Sequence, residues 1–233
     1  LGLSNIFGTL LVLGIPMGMY SKFLVEEREV SEKLLHNIMP KQIAELLKNS
    51  TKPVALENPD ISVMMADIVN FTSFSDQVSA EHVVALLNNI FSRFDDVVLE
   101  HNVEKIKTIG DAYMVVAGLP EPRTDHAQIL VKMSARLIEI ASGYNDHEGN
   151  AIQLRIGIHS GPAVSGVIGK SKFAFDVWGD TINTAARLES NGEPGRIHLS
   201  KRTFDQLESN LTFGAKSQSI EIKGKGVMKT FLV

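Results

Sequence analysis

The chain of 233 residues contains no cysteine. Disulfide bonds, thiol catalysis and cysteine-ligated zinc are thereby excluded, and the composition fits a reducing compartment. Histidine occurs 7 times but forms no HExxH or comparable helical pair, which argues against a histidine zinc site as well. An excess of positive charge is also missing. The 23 Lys and Arg against 27 Asp and Glu leave a formal net charge of −4, whereas a nucleic-acid binder needs a basic face to neutralise phosphates. Internal repeats are absent. No basic segment precedes the apolar N-terminal run, so a cleaved signal peptide is not expected. What remains is 44% hydrophobic and 21% charged, enough for one well-buried globular domain with something left over and too apolar for a disordered chain.

Residues Leu1 to Ser21 carry no charge and reach about the 20 residues that cross a bilayer. They are predicted to form a transmembrane helix, since Pro16 and the glycines of this run weaken a soluble helix but are tolerated in a membrane one. The chain opens with Leu and reads as a piece whose earlier spans precede it. Residues 22–50 read as a helical linker. Phe23, Val30, Leu34 and Ile38 follow one another at spacings of seven, four and four, which suits a short parallel coiled coil interrupted at Pro40. Lys41 to Leu47 resume the helical pattern, and the polar, proline-containing stretch Asn49 to Pro59 marks a boundary before a domain over 55–233.

Within that domain strands and helices alternate: a strand near 61–69, a helix near 79–101, a hairpin near 104–117, a helix near 125–144 and a strand near 153–159. Val83, Leu87, Ile90, Phe94 and Val97 line one face of the first helix and are assigned to the core. The order βαββαβ is that of a ferredoxin-like α/β (α+β) sheet with helices packed on one face.

Two aspartates sit in apolar strands, Asp67 within Val63 to Val69 and Asp111 within Lys105 to Val116. A charge in such a setting needs a partner, either a buried salt bridge or a shared divalent cation, and the cation is favoured. Asp111 follows Gly110 in a turn of the kind that type II′ geometry favours. If the first strand lies beside this hairpin, the two carboxylates converge and can hold Mg²⁺ or Mn²⁺ against phosphate oxygens.

Three further clusters stand out: Arg155 to Gly161, Phe175 to Ser190, and Ile222-Lys223-Gly224-Lys225-Gly226. Together with Ala66 to Thr72 and Lys107 to Tyr113, they resemble the ordered motif set of the class III nucleotidyl cyclase catalytic domain. The resemblance is collinear from about residue 55 to 233 and is nearest to adenylyl cyclases of the bacterial, mycobacterial-type, membrane-anchored kind. It implies attack of the ribose 3′-oxygen on the α-phosphorus of ATP, giving cyclic AMP and pyrophosphate. Metal binding, by two Mg²⁺ or Mn²⁺ per site, falls to Asp67, Ile68 and Asp111. Asn183 is implied in ribose positioning and Arg187 in stabilising the transition state; four residues apart on a helix, they share one face. Arg155 and Lys223 match residues that hold the terminal phosphates, and the amides around Asn70, Phe71 and Thr72 can cradle phosphate. Asn70 stands where the family often has Gly, and Asn is the residue that best replaces it in left-handed backbone. No general base announces itself; Asp67 and a water on the metal are both open.

Lys107 and Asp176 occupy the positions that read the base in this family. Adenine offers an acceptor at N1 and a donor at N6, which suits a Lys and Asp pair, while guanylyl cyclases tend to carry Glu and Cys there. Family sites form between two catalytic domains. Both residue sets occur in this one domain, so a homodimer with two equivalent sites is implied, at the cell membrane with the catalytic domain in the cytoplasm. A guanylyl cyclase and a catalytically silent signalling or dimerisation module are the competing readings. Gly166 to Ser171 ends like a P-loop, but the first required glycine falls at Val164, and the segment reads as a hairpin connection.

Overall fold

The computed structural model describes residues 20, 22–49, 53–169 and 172–233, and the chain divides into two units, Leu1–Thr51 and Lys52–Val233. In the first unit helix α1 spans 22–36, and helix α2 spans Lys41–Asn49. Pro40 does not lie inside a helix. It precedes α2, where its carbonyl accepts the Ala44 N–H at 3.0 Å, a position in which its missing N–H costs nothing. Glu32 of α1 pairs with Arg28 at 3.3 Å and with Lys48 of α2 at 3.2 Å. Phe23, Val30, Leu34 and Ile38 are all exposed. Among the described residues no helix is long and apolar enough to cross a membrane. The predicted transmembrane segment lies, apart from Tyr20, outside them.

The second unit is built on strands whose alternating side chains give the sheet two faces. In order they are β1 (Ala55–Ile68), β2 (Glu104–Ile109), β3 (Ala112–Ala117), β4 (Leu154–Ile168), β5 (Ala174–Trp178), β6 (Arg196–Ser200), β7 (Lys216–Ile222) and β8 (Gly226–Leu232). Helices α3 (Phe71–Ser75), α4 (Ala80–Glu100), α5 (His126–Ser142), α6 (Asp180–Ser190) and α7 (Lys201–Phe204) connect them. The strands lie in the order β2-β3-β1-β4-β6-β8-β7, with β5 folded back on β4. The segment β1-α4-β2-β3-α5-β4, ordered β2-β3-β1-β4 and antiparallel throughout, is the expected ferredoxin-like unit.

Two parts of the expectation change. β1 starts at Ala55, inside the stretch read as a polar boundary, because Ala55 to Asn58 pair with Ala163 to Gly166 before a bulge at Pro59 and Asp60 restores register. The helices also do not all pack on one face. Met64, Ala66 and Ile68 of β1 and Ile156 and Ile158 of β4 face the core with Ile90, Phe94 and Val97 of α4 and Leu130, Met133 and Leu137 of α5. The alternate residues of β4 face the other way, and α6 docks there: a Cβ on Gly157 would lie 2.1 Å from the Glu189 amide nitrogen and 2.4 Å from the Ala185 carbonyl. Only glycine admits the helix that close.

A buried polar chain pins the register. Ser62 Oγ lies 2.8 Å from His126 Nδ1 and 2.6 Å from Ser160 Oγ, Ser160 donates to Thr203 at 3.0 Å, and Ser200 Oγ joins Thr203 at 2.9 Å and His159 Nδ1 at 2.8 Å. A register slip would leave these groups unsatisfied, at a cost of about 1–3 kcal/mol each.

Candidate active site

β1 and β4 place Asp67 directly opposite Arg155 in the antiparallel ladder. Arg155 Nη2 donates to Asp67 Oδ2 at 2.9 Å. The β2–β3 turn brings in Asp111: Gly110 takes φ +63 and Asp111 does not, as type II′ geometry requires. The Asp111 carboxyl lies close enough to Asp67 for the two charges to interact. Burial, then the charge on Asp67, push it up to about 6. The expected convergence of the two aspartates is therefore present, and it is electrostatically unfavourable for two anions. A divalent cation between them would relieve that repulsion, so the donor set fits Mg²⁺ or Mn²⁺ held by one or two carboxylates and substrate phosphates. Among the described residues no group of three or more acidic or histidine side chains forms a complete metal cage. Ile68, the third assigned ligand, pairs with Leu154.

Asn70 adopts φ 60, ψ 21, the left-handed conformation expected of it, and the chain turns there into α3. The Phe71 ring packs at 6.0 Å from that of Phe74, so what Phe71 can offer a phosphate is its amide. Thr72 is exposed.

A second group lies on β2 and β5. Lys107 Nζ donates to Asp176 Oδ2 at 2.5 Å, and the Val177 N–H donates to Asp176 Oδ1 at 2.8 Å. The carboxylate is thus fixed by its own strand while the ammonium is held beside it. On α6, Asn183 is exposed and Arg187 half-buried. Arg187 Nη1 donates to the Lys223 carbonyl in the β7–β8 turn, and Lys225 Nζ of that turn pairs with Asp180 at the start of α6. The turn is tied to both ends of the helix, with Lys223 exposed. Among the described residues no hydrogen bond or ion pair joins the Asp67 group to the Lys107–Asp176 pair or to Asn183 and Arg187.

Sequence reasoning missed one participant. Glu189 is buried beside the aspartates, its Oε1 3.3 Å from Arg155 Nε, and burial and the Asp67 charge raise its pKa. It sits within a quoted motif, but only the docking of α6 on β4 shows where it points.

Residues 54–233 match the adenylate and guanylate cyclase catalytic domain, and the chain belongs to that family. It is 39% identical over 206 residues to an adenylate cyclase of Mycobacterium tuberculosis, covering 88% of this chain and 46% of that one. It is 42% identical over 216 residues to a receptor-type guanylate cyclase of Caenorhabditis elegans, covering 90% of this chain and 17% of that one. The chain thus spans less than half the length of these curated relatives. Among solved structures, the catalytic core of a rhodopsin-guanylyl cyclase with converted specificity, in complex with ATPαS, superposes with a TM-score of 0.72 at 37% identity, over 79% of this chain and 98% of that one.

Proposed function

We propose that this domain is an adenylyl cyclase, converting ATP to 3′,5′-cyclic AMP and pyrophosphate at sites shared across a homodimer. The observation that carries the choice of base is the 2.5 Å contact between Lys107 and Asp176, a donor and an acceptor held side by side as adenine N1 and N6 require. Guanine would meet this pair with its donors and acceptor reversed, leaving buried polar groups unpaired and discriminating by about 10²-fold to 10⁴-fold. Asp67 and Asp111, with the Ile68 carbonyl, hold Mg²⁺ or Mn²⁺. Cations held there would supply Lewis acidity for lowering the pKa of the ribose hydroxyl and positive charge against the departing phosphates. Arg155 and Lys223 bind the terminal phosphates and the Phe71 and Thr72 amides support them. Asn183 orients the ribose, and Arg187 stabilises charge at the α-phosphoryl group in the transition state.

The separation of the Asp67 group from Asn183 and Arg187 in one chain supports a site completed by a second copy. Phe23, Val30 and Leu34, exposed on α1, suit a coiled coil that brings two copies together, Ile38 lying in the turn beyond the helix end, and the uncharged run Leu1 to Ser21 would anchor them in the cell membrane with the catalytic domains in the cytoplasm. The guanylate cyclase relative at 42% identity supports a second reading, GTP as substrate.

Purified protein with Mn²⁺ separates the two when ATP and GTP are offered apart and in competition. Cyclic AMP formation, abolished by Asp67→Ala, is expected. The double change Lys107→Glu with Asp176→Cys should weaken the ATP preference by about 10²-fold or more. Cyclic GMP as the main product of the unaltered chain would make the second reading the right one.

A further inference from the structure

Helix α6 has two working faces. Asn183 and Arg187 stand on the outer one, and Glu189, two residues beyond Arg187, points to the opposite side. There Gly157 admits the helix backbone to β4, and Glu189 is only 9% exposed. Its Oε2 accepts from Ser190 Oγ at 3.1 Å, while Oε1 is buried with no hydrogen-bond partner. Arg155 Nε is likewise buried and unpartnered, 3.3 Å away. Two complementary buried atoms thus lie within ion-pair distance without an aligned hydrogen bond, on a guanidinium whose other edge donates to Asp67 at 2.9 Å.

We propose that Glu189 is the positioning residue for Arg155: its carboxylate anchors the Nε edge of the guanidinium, so that the Nη edge is held toward Asp67 and the terminal phosphates of the nucleotide. This rests on the reading of Arg155 as a phosphate-binding residue. A guanidinium is planar, and fixing one edge sets the direction of the remaining donors. Asp67 would not do this alone, because its oxygens would also hold the proposed cations. Glu189 has Arg155 as its charged partner and keeps it. Helix stability does not explain an acid here, since the last turn of a helix disfavours a negative charge.

The test is a double-mutant cycle between Glu189→Ala and Arg155→Ala, read by kcat, by KM for ATP and by calorimetric affinity for inorganic pyrophosphate. Glu189→Ala should raise KM and weaken pyrophosphate binding by about 5-fold to 10-fold, as loss of one partner of a largely buried ion pair does, and change kcat by less than about 3-fold. Glu189→Gln, isosteric and still an acceptor, should fall between it and the unaltered chain; it serves in the same cycle if the alanine variant does not fold. In the Arg155→Ala background either change should add less than about 2-fold. An unchanged KM, or an undiminished effect in that background, overturns the proposal. Should the unaltered chain make no cyclic nucleotide, the functional reading fails instead, and the pyrophosphate affinities still decide the role of Glu189.

Discussion

At the scale of single residues, the site is a set of charges whose partners decide what each can do. Asp67 and Asp111 were legible as acids that need a partner because they sit in apolar strands; Asp67 has Arg155 at 2.9 Å, and the proposed cation would serve both. Asn70 was legible as a left-handed turn because few other residues replace glycine there. Glu189 was not, since a helical Glu near a helix end is usually solvated, and only its contact with Arg155 gives it a task. Glu104 is a second case. At the start of β2, half-buried opposite Val116, its pKa is raised by burial from 4.5 to about 7. A folded-state value above the unfolded one means that the contribution to stability is fully present below pH 4.5 and is lost as pH rises through about 7. Glu104→Gln should therefore remove that decline and stabilise the domain at pH 8 by about 1–3 kcal/mol, measured by urea unfolding at pH 4.5 and pH 8. Equal pH slopes in the two proteins would refute it.

At the scale of elements, the hydrophobic period placed α4, the β2–β3 hairpin and α5 to within a few residues, because each has one face on the core and one away from it, whereas β4, expected over 153–159, runs on to Ile168 where it pairs with β5. The early start of β1 was hidden by Pro59 and by polar residues that β4 tolerates at a sheet end. The position of α6 was hidden for another reason: its docking depends on the missing side chain at Gly157, which no periodicity signals. Gly157→Ala tests that reading. With backbone atoms of α6 2.1 Å and 2.4 Å from the new methyl group, the helix must shift, and a loss of about 2–4 kcal/mol is expected. Activity should fall further than stability, since the same shift displaces Asn183, Arg187 and Glu189 together. A variant with unaltered melting temperature and turnover would show that α6 does not depend on this contact.

At the scale of the whole molecule, the proposed site residues fall into two groups within one domain. Asp67, Asp111 and Arg155 lie on β1, the β2–β3 turn and β4, whereas Asn183 and Arg187 lie on α6. Two copies arranged about a two-fold axis would complete two equivalent sites, and each α6 would then serve one site with its outer face and the other, through Glu189, with its inner face. The measurement that tests this most directly is complementation between two inactive variants, Asp67→Ala and Arg187→Ala, assayed for cyclic AMP from ATP separately and after mixing at equal concentration. Half of the randomly paired dimers are then mixed, each with one of two sites intact, so about a quarter of the unaltered activity should return. A mixture as inactive as its components, with exchange of subunits demonstrated, would contradict a site shared between chains.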